Sequence, residues 1–157
     1  MTSKLKPTFW KLSHGTKSGF TFEDMISSID EKLVYVHRQT DAKGKSSITQ
    51  AEDFVNAAIG DYFYLTHGND GIYLLGQFTG PVNYFTKFEN EDDKDWMERS
   101  FRLIKKAIHI RTYDGQEKWW TPNHNSTFVQ IPENEEELFE KLILQPYFGL
   151  SLERFRS

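Results

Sequence analysis

Residues 61–78 read DYFYLTHGNDGIYLLGQF, and this stretch decides the fold. Two runs rich in aromatic and β-branched side chains, 61–67 and 72–78, flank the four residues GNDG. Strand-like runs on both sides of a short turn that contains Gly and Asn are typical of a β-hairpin. The stretch therefore predicts two neighbouring antiparallel strands.

Further strands and helices are predicted on both sides of this hairpin. Runs with strand-like composition occur at residues 7–13, 32–37 and 127–131. Helices are predicted at residues 21–29, 49–58 and 133–144. The first two helices begin with the spacing of a capping box, and the third carries acidic residues at its start, where the helix dipole favours them.

Residues 99–112 are ambiguous, because their apolar positions fit the helical and the strand period in part. The run 108–113 precedes Asp114-Gly115, which favours a strand that enters a tight turn, with residues 118–121 as its hairpin partner. Mixed strands with helices at the edges predict an α+β fold with a half-open mixed β-barrel flanked by short helices. A single domain is expected over residues 1–157.

Composition limits the cellular setting and the chemistry. The chain has 157 residues and no cysteine, so it forms no disulfide and uses no thiolate chemistry. No apolar run is long enough to cross a bilayer, and residues 1–7 are too polar and too short for a signal peptide. We therefore expect a cytoplasmic protein with no membrane partner.

The net charge of -4 conceals an uneven distribution. Residues 89–95 hold five acids and one lysine, and residues 133–140 hold five acids and no base. Without these two runs, 18 basic residues face 13 acidic ones. Because affinity for phosphate depends on local patches, the acidic total does not exclude a nucleic-acid partner. The acidic runs themselves are interpreted as a solvated loop and a solvated helix start.

Three segments, taken in order, resemble the EVE and YTH branch of the PUA-like superfamily. Residues 9–14 (FWKLSH) with 22–25 look like the aromatic first strand and the helix after it. Residues 60–76 are similar to the family's Gly-Asp strand and its Gly-containing return strand, and residues 138–150 to its closing helix and tail. The resemblance implies a PUA-like half-open barrel that reads nucleic acid.

The opening FWKLSHG at residues 9–15 also looks like the N-terminal reader of McrBC-type restriction GTPases. In those proteins an EVE- or YTH-like module selects methylated DNA for a AAA+ motor. The chain has no Walker motif, so a AAA+ GTPase would be a partner or another part of a longer protein. The resemblance implies a binding module for a modified, methylated base in DNA, with no catalytic role and no cofactor.

A reader that flips a base needs aromatic walls, hydrogen bonds to the base edge and cations for the phosphates. The predicted walls are Trp119, Trp120 and Tyr35. The predicted edge contacts are Ser13, His14, Thr66, His67 and Asn123. The predicted phosphate-binding group is Lys11, Lys17, Arg38, Lys43 and Lys45. Adjacent residues of a strand face apart, so one tryptophan is expected in the pocket and the other in the core, with Trp120 favoured for the pocket.

Other functions stay open at this point. An RNA reader would show the same motifs, and a protein-interaction module would use the acidic runs. A ribonuclease of the related ASCH branch would act through Lys11, His14 and His67. Five histidines without cysteine or a His-Glu-x-x-His spacing predict no metal site. The sequence does not say which base or which modification is read.

Overall fold

A computed structural model describes most of the chain. The described residues are 7–14, 22–37, 49–69, 71–83, 96–109, 111–124 and 126–155. Within them the chain forms six strands: β1 (Phe9–Ser13), β2 (Leu33–His37), β3 (Tyr62–Thr66), β4 (Ile72–Phe78), β5 (Trp96–Lys106) and β6 (Phe128–Gln130). The fold is α+β, as predicted.

The strands form one curled sheet in the order β2-β5-β4-β3-β1-β6, a mixed half-barrel. The predicted hairpin is confirmed, because β3 and β4 pair antiparallel with Phe63 opposite Gly76. A Cβ atom at Gly76 would lie 2.7 Å from Cζ of Phe63, so the close packing there requires glycine. Strand β1 pairs with β3 in parallel and with β6 antiparallel.

Short helices flank the sheet. The first two are α1 (Phe22–Asp30) and α2 (Gln50–Asn56). A 3-10 turn (Glu133–Glu135) leads into α3 (Glu136–Phe139), a π-helical turn (Glu140–Leu144) and α4 (Gln145–Phe148), and a last 3-10 turn spans Leu152–Phe155. None of the helices in the described ranges is long and apolar enough to span a bilayer.

Two sets of hydrogen bonds show why α2 begins and ends where it does. The predicted capping box at the start of α2 is confirmed, since Glu52 N–H donates to Oγ1 of Thr49 at 3.0 Å. At the other end of α2, the buried guanidinium of Arg99 donates to the carbonyls of Phe54 and Ala57 at 2.9 and 2.6 Å. Arg99 thereby satisfies carbonyls that the end of the helix leaves without a partner and ties α2 to β5.

The sheet separates two apolar cores. Trp10, Leu12 and Phe63 belong to the first core, into which α2 packs through Phe54. The second core lies on the opposite face and joins alternate strand residues to the C-terminal helices. The two-residue period of a strand explains this division, because successive side chains point to opposite faces.

The predicted hairpin of residues 108–113 with 118–121 is wrong. The described residues of both segments lie outside the strands. The Asn69 side chain takes the place of a strand partner: its Nδ2 donates to Tyr113 O at 3.1 Å, and its Oδ1 accepts Tyr113 N–H at 3.2 Å. Once a side chain satisfies these backbone groups, no ladder is required there.

Candidate functional site

The parallel pairing of β1 and β3 gathers several predicted contact residues at one end of the sheet. Ser13 is aligned with Thr66, and His14 and His67 follow directly. The backbone N–H of His14 donates to Thr66 O at 2.9 Å, so the pairing continues past the strands. All four side chains are buried. Residues from two distant segments are therefore neighbours at this end of the sheet.

His14 links this end of β1 to the edge strand β2. Its Nε2 atom accepts the backbone N–H of Tyr35 at 3.2 Å. An edge strand leaves backbone donors on its outer side, and the imidazole satisfies one of them. Because β1 and β2 are not neighbours in the sheet, this contact joins two strands that the curl of the half-barrel brings together.

The imidazole of His14 is electrically neutral near pH 7. Burial, and in second place the nearby His67, lower the pKa of His14 to about 3. Both effects disfavour the imidazolium form. His14 therefore offers a neutral hydrogen-bonding group rather than a positive charge, which suits a base edge better than a phosphate.

Glu98 joins the same group and was missed in the sequence. Strand β2 places Tyr35 opposite Glu98 on β5. Burial, and then the nearby carboxylate of Glu98, raise the pKa of Tyr35 above its ordinary range. Asn83 Nδ2 donates to Oε2 of Glu98 at 2.8 Å. His14, Tyr35, His67 and Glu98 are called the histidine cluster below.

Ser13 and Thr66 face the opposite side of the sheet. They alternate with Leu12 and Leu65, which point into the first core, and Thr66 pairs with Ile72 of the second core. Ser13 Oγ accepts Gly68 N–H at 3.1 Å and so fixes the β3–β4 turn. Thr66 is fully buried, and its hydroxyl has no hydrogen-bond partner among the residues described.

The two adjacent tryptophans lie in different environments, but Trp120 is not the one in an open site. Trp120 is 0% exposed and packs edge-on against Phe139. Its Nε1 donates to Oε1 of Glu135 at 2.6 Å, and its carbonyl accepts from the Tyr64 hydroxyl. The preference for Trp120 as the pocket residue is therefore wrong, because Trp120 is a core side chain whose polar atoms are used internally.

Trp119 instead lines an open cleft of about 420 Å³, together with Glu117, Lys118, His124 and Glu135. These five residues are called the Trp119 cleft. Lys118 Nζ pairs with Oε2 of Glu135 at 3.1 Å. The hydrogen bond from Trp120, helped by Lys118, lowers the pKa of Glu135 below its ordinary value. Glu135 therefore stays ionised.

Asn123 lies in the segment between β5 and β6 that also carries Trp119, which is called the Trp119 loop below. Its Nδ2 atom donates to Gly115 O at 3.2 Å, which closes the loop that carries Trp119. The predicted pocket is thus divided. Tyr35, His14 and His67 lie in the histidine cluster, Ser13 and Thr66 on the opposite face, Trp119 and Asn123 at the cleft, and Trp120 in the second core.

The prediction that Lys11 binds phosphate is wrong. Lys11 is 0% exposed, and its Nζ atom donates to His124 O at 2.9 Å and to Ser126 Oγ at 2.8 Å. The ammonium group holds the Trp119 loop against β1. The other predicted phosphate contacts lie outside the described residues: Lys17, Arg38, Lys43 and Lys45.

Comparisons with known proteins give no family for the chain. Neither a scan against protein-family models nor a search of curated proteins finds a match. Within the part of the chain that the structure covers, no three His, Asp or Glu side chains are grouped to hold a metal ion. Function is therefore inferred from the histidine cluster and the Trp119 cleft.

Proposed function

We propose that this domain binds DNA and reads one methylated base at the histidine cluster. The observation that carries the proposal is the convergence of Tyr35, His14 and His67, which come from three separate segments and were predicted as base contacts. A PUA-like fold of the EVE and YTH type is part of the same proposal. The curled six-stranded half-barrel supports it.

The chemistry of the cluster fits a neutral base that carries an amino group. The carboxylate of Glu98 is an acceptor, and acidic side chains accept from the exocyclic amino group of cytosine. Adenine carries a comparable amino group. His14 is uncharged near pH 7 because burial lowers its pKa, and the phenol of Tyr35 is uncharged at that pH even without the rise in its pKa that burial causes. Such groups distinguish bases without attracting phosphates.

Buried hydrogen-bonding groups are also strong discriminators. An unpaired polar atom in a dehydrated site costs about 1–3 kcal/mol, so a base with the wrong edge is rejected. Because Tyr35 is 1% exposed, the cluster must open to admit a base. Stacking on an aromatic ring returns about 1–3 kcal/mol per base, which offsets that opening and the extrusion of the base from the duplex.

The same geometry weighs against the ribonuclease alternative. Lys11 is buried with its ammonium bound to His124 O and Ser126 Oγ, so it cannot approach a scissile phosphate without leaving the core. A histidine with a pKa of about 3 is neither protonated near pH 7 nor a strong base. Lys11, one of the three residues that the ASCH resemblance implies, is thus held in a structural role.

Binding to matched oligonucleotides tests the proposal. Fluorescence anisotropy would compare DNA duplexes that carry cytosine, 5-methylcytosine, adenine or N6-methyladenine at one position, with RNA of the same sequence. We expect one methylated DNA to bind about tenfold more tightly than its unmodified form, about 1.4 kcal/mol. Equal affinity for all duplexes would contradict a modified-base reader. Tighter binding of RNA would make the domain an RNA reader instead.

A pair of matched substitutions locates the site. Glu98→Gln replaces an acceptor of the histidine cluster by an amide and should remove most of the preference for the methylated duplex. Glu117→Gln makes the same chemical change at the Trp119 cleft and should leave the preference intact. If Glu117→Gln alone changed the preference, the base would bind at the cleft. Thermal melts of both variants exclude unfolding as the cause.

A further inference from the structure

The Trp119 cleft is an open, charged site that has no role in the proposed binding of a base. Trp119 is partly buried against the second core and partly exposed in the cleft. Of the charged lining groups, Lys118 is paired with Glu135 at 3.1 Å, and Glu117 is exposed. With two carboxylates and one ammonium group, the lining carries a net negative charge next to an aromatic ring.

The surroundings extend this negative charge. Residues 111–140 contain seven acidic and two basic side chains, a net charge of -5. A polyanion is repelled from such a surface, whereas a basic surface is attracted to it. The sign of the charge therefore argues against a nucleotide as the occupant of the cleft.

The walls of the cleft are fixed in place. Trp120 anchors the loop through its hydrogen bond to Glu135, and Lys11 anchors it through His124 O. Lys118 N–H donates to Oγ1 of Thr121 at 2.9 Å, and the Ser126 hydroxyl donates to Trp119 O. A site that is ordered before binding loses less conformational entropy when a ligand arrives.

We propose that the Trp119 cleft binds an arginine side chain from the basic surface of a partner protein. A planar guanidinium stacks on an indole ring, and its N–H groups match carboxylate oxygens. Trp119 supplies the ring, and the exposed Glu117 supplies the main acceptor. Both oxygens of Glu135 already accept hydrogen bonds, from Trp120 and Lys118, so Glu135 contributes mainly its charge. The acidic rim then selects a partner whose arginine lies within a basic segment. This site does not depend on the proposed reading of DNA.

The test uses the intact protein and capped amino acids. The indole N–H signal of Trp119 in a nitrogen-15 NMR spectrum would be followed during titration with N-acetyl-arginine amide, and then with its neutral counterpart, N-acetyl-citrulline amide. Assignment comes from the spectrum of Trp119→Phe. We expect a saturable shift with arginine and binding about tenfold weaker with citrulline, the ratio set by the cation–π and ionic contacts.

Two further measurements test whether the charge of the cleft contributes to arginine binding. Glu117→Gln should weaken arginine binding severalfold. In a second measurement, a short peptide with one arginine among glutamates should bind more weakly than a peptide with one arginine among lysines. Equal binding of arginine and citrulline, or no shift of Trp119 with either, overturns the proposal. A shift of Trp119 that instead follows titration with the DNA duplexes also overturns it, because the cleft would then hold a nucleotide.

Discussion

The histidine cluster and the Trp119 cleft are built in different ways and present opposite chemistry. Strand pairing and the curl of the sheet form the cluster, whose side chains His14 and Tyr35 are buried and uncharged. A loop anchored by Lys11 and Trp120 carries the cleft, whose charged lining residues are all at least partly exposed. Dehydrated neutral groups discriminate between similar neutral ligands, whereas exposed charges recognise the sign of a partner.

The two adjacent tryptophans provide the largest test of this difference. Trp120→Ala empties a fully buried site and should lower the free energy of unfolding by about 3–5 kcal/mol. Trp119→Ala, the matched control, should lower it by less than about 1 kcal/mol and abolish arginine binding. Denaturant unfolding of both variants measures the pair. Equal losses of stability would mean that Trp119 is also a core residue and that the cleft has no free aromatic wall.

The next largest effect is the dependence of the free energy of unfolding on pH, which arises from the neutral imidazole of His14. The folded-state pKa of about 3 lies below the ordinary value of 6.5, so the unfolded chain binds a proton that the folded chain does not. Stability is therefore complete above pH 6.5 and is lost as the pH falls toward 3. Between about pH 8 and about pH 5 the loss from this one group should reach about 2 kcal/mol.

Unfolding experiments at several pH values check this prediction. His14→Gln keeps an acceptor for the Tyr35 N–H and removes the titrating group, so its stability should depend less steeply on pH in that range. Parallel curves for the two proteins would mean that His14 is as easily protonated in the folded chain as in the unfolded chain. The imidazole of His14 would then be protonated in mildly acidic solution.

These two regions also show what the sequence could and could not predict. The strand-like composition of residues 61–78 and the capping box of Thr49 are local signals, and both elements form as predicted. The parallel pairing of β1 with β3, which brings Ser13 to Thr66, has no such local signal. The agreement therefore depends on short-range patterns.

The errors arise where a contact between distant residues overrides a local pattern. Residues 108–113 have strand-like composition, but the Asn69 amide satisfies the backbone of Tyr113. Lys11 has the charge that a phosphate contact needs. The alternation of side chains along β1, however, directs Lys11 toward the Trp119 loop. Glu98 gives no signal at all, because its position opposite Tyr35 depends on the register of β2 with β5.

A third prediction concerns the predicted phosphate contacts. Lys43 and Lys45 lie between β2 and α2, outside the described residues, and they stay predicted phosphate contacts. Lys43→Glu with Lys45→Glu should weaken binding to methylated and unmethylated DNA alike and lower the salt dependence by about 0.9 per lost contact. Arginine binding at the Trp119 cleft should not change. DNA titrations at several salt concentrations measure the slope, and an unaltered slope would assign both lysines to solvent.

The smallest effect on stability and DNA affinity is expected for a substitution of Thr66. This substitution tests on which face of the sheet the base binds. Thr66→Val replaces a fully buried hydroxyl, without a hydrogen-bond partner in the described residues, by a methyl group of similar shape. Removing such a hydroxyl should leave stability unchanged or raise it by up to about 1 kcal/mol. DNA affinity should stay within about twofold, because Thr66 faces the second core rather than the first. A selective loss of DNA affinity with full stability would contradict the placement of the base at the histidine cluster. The base would then lie on the face shared with Tyr64 and the Trp119 loop.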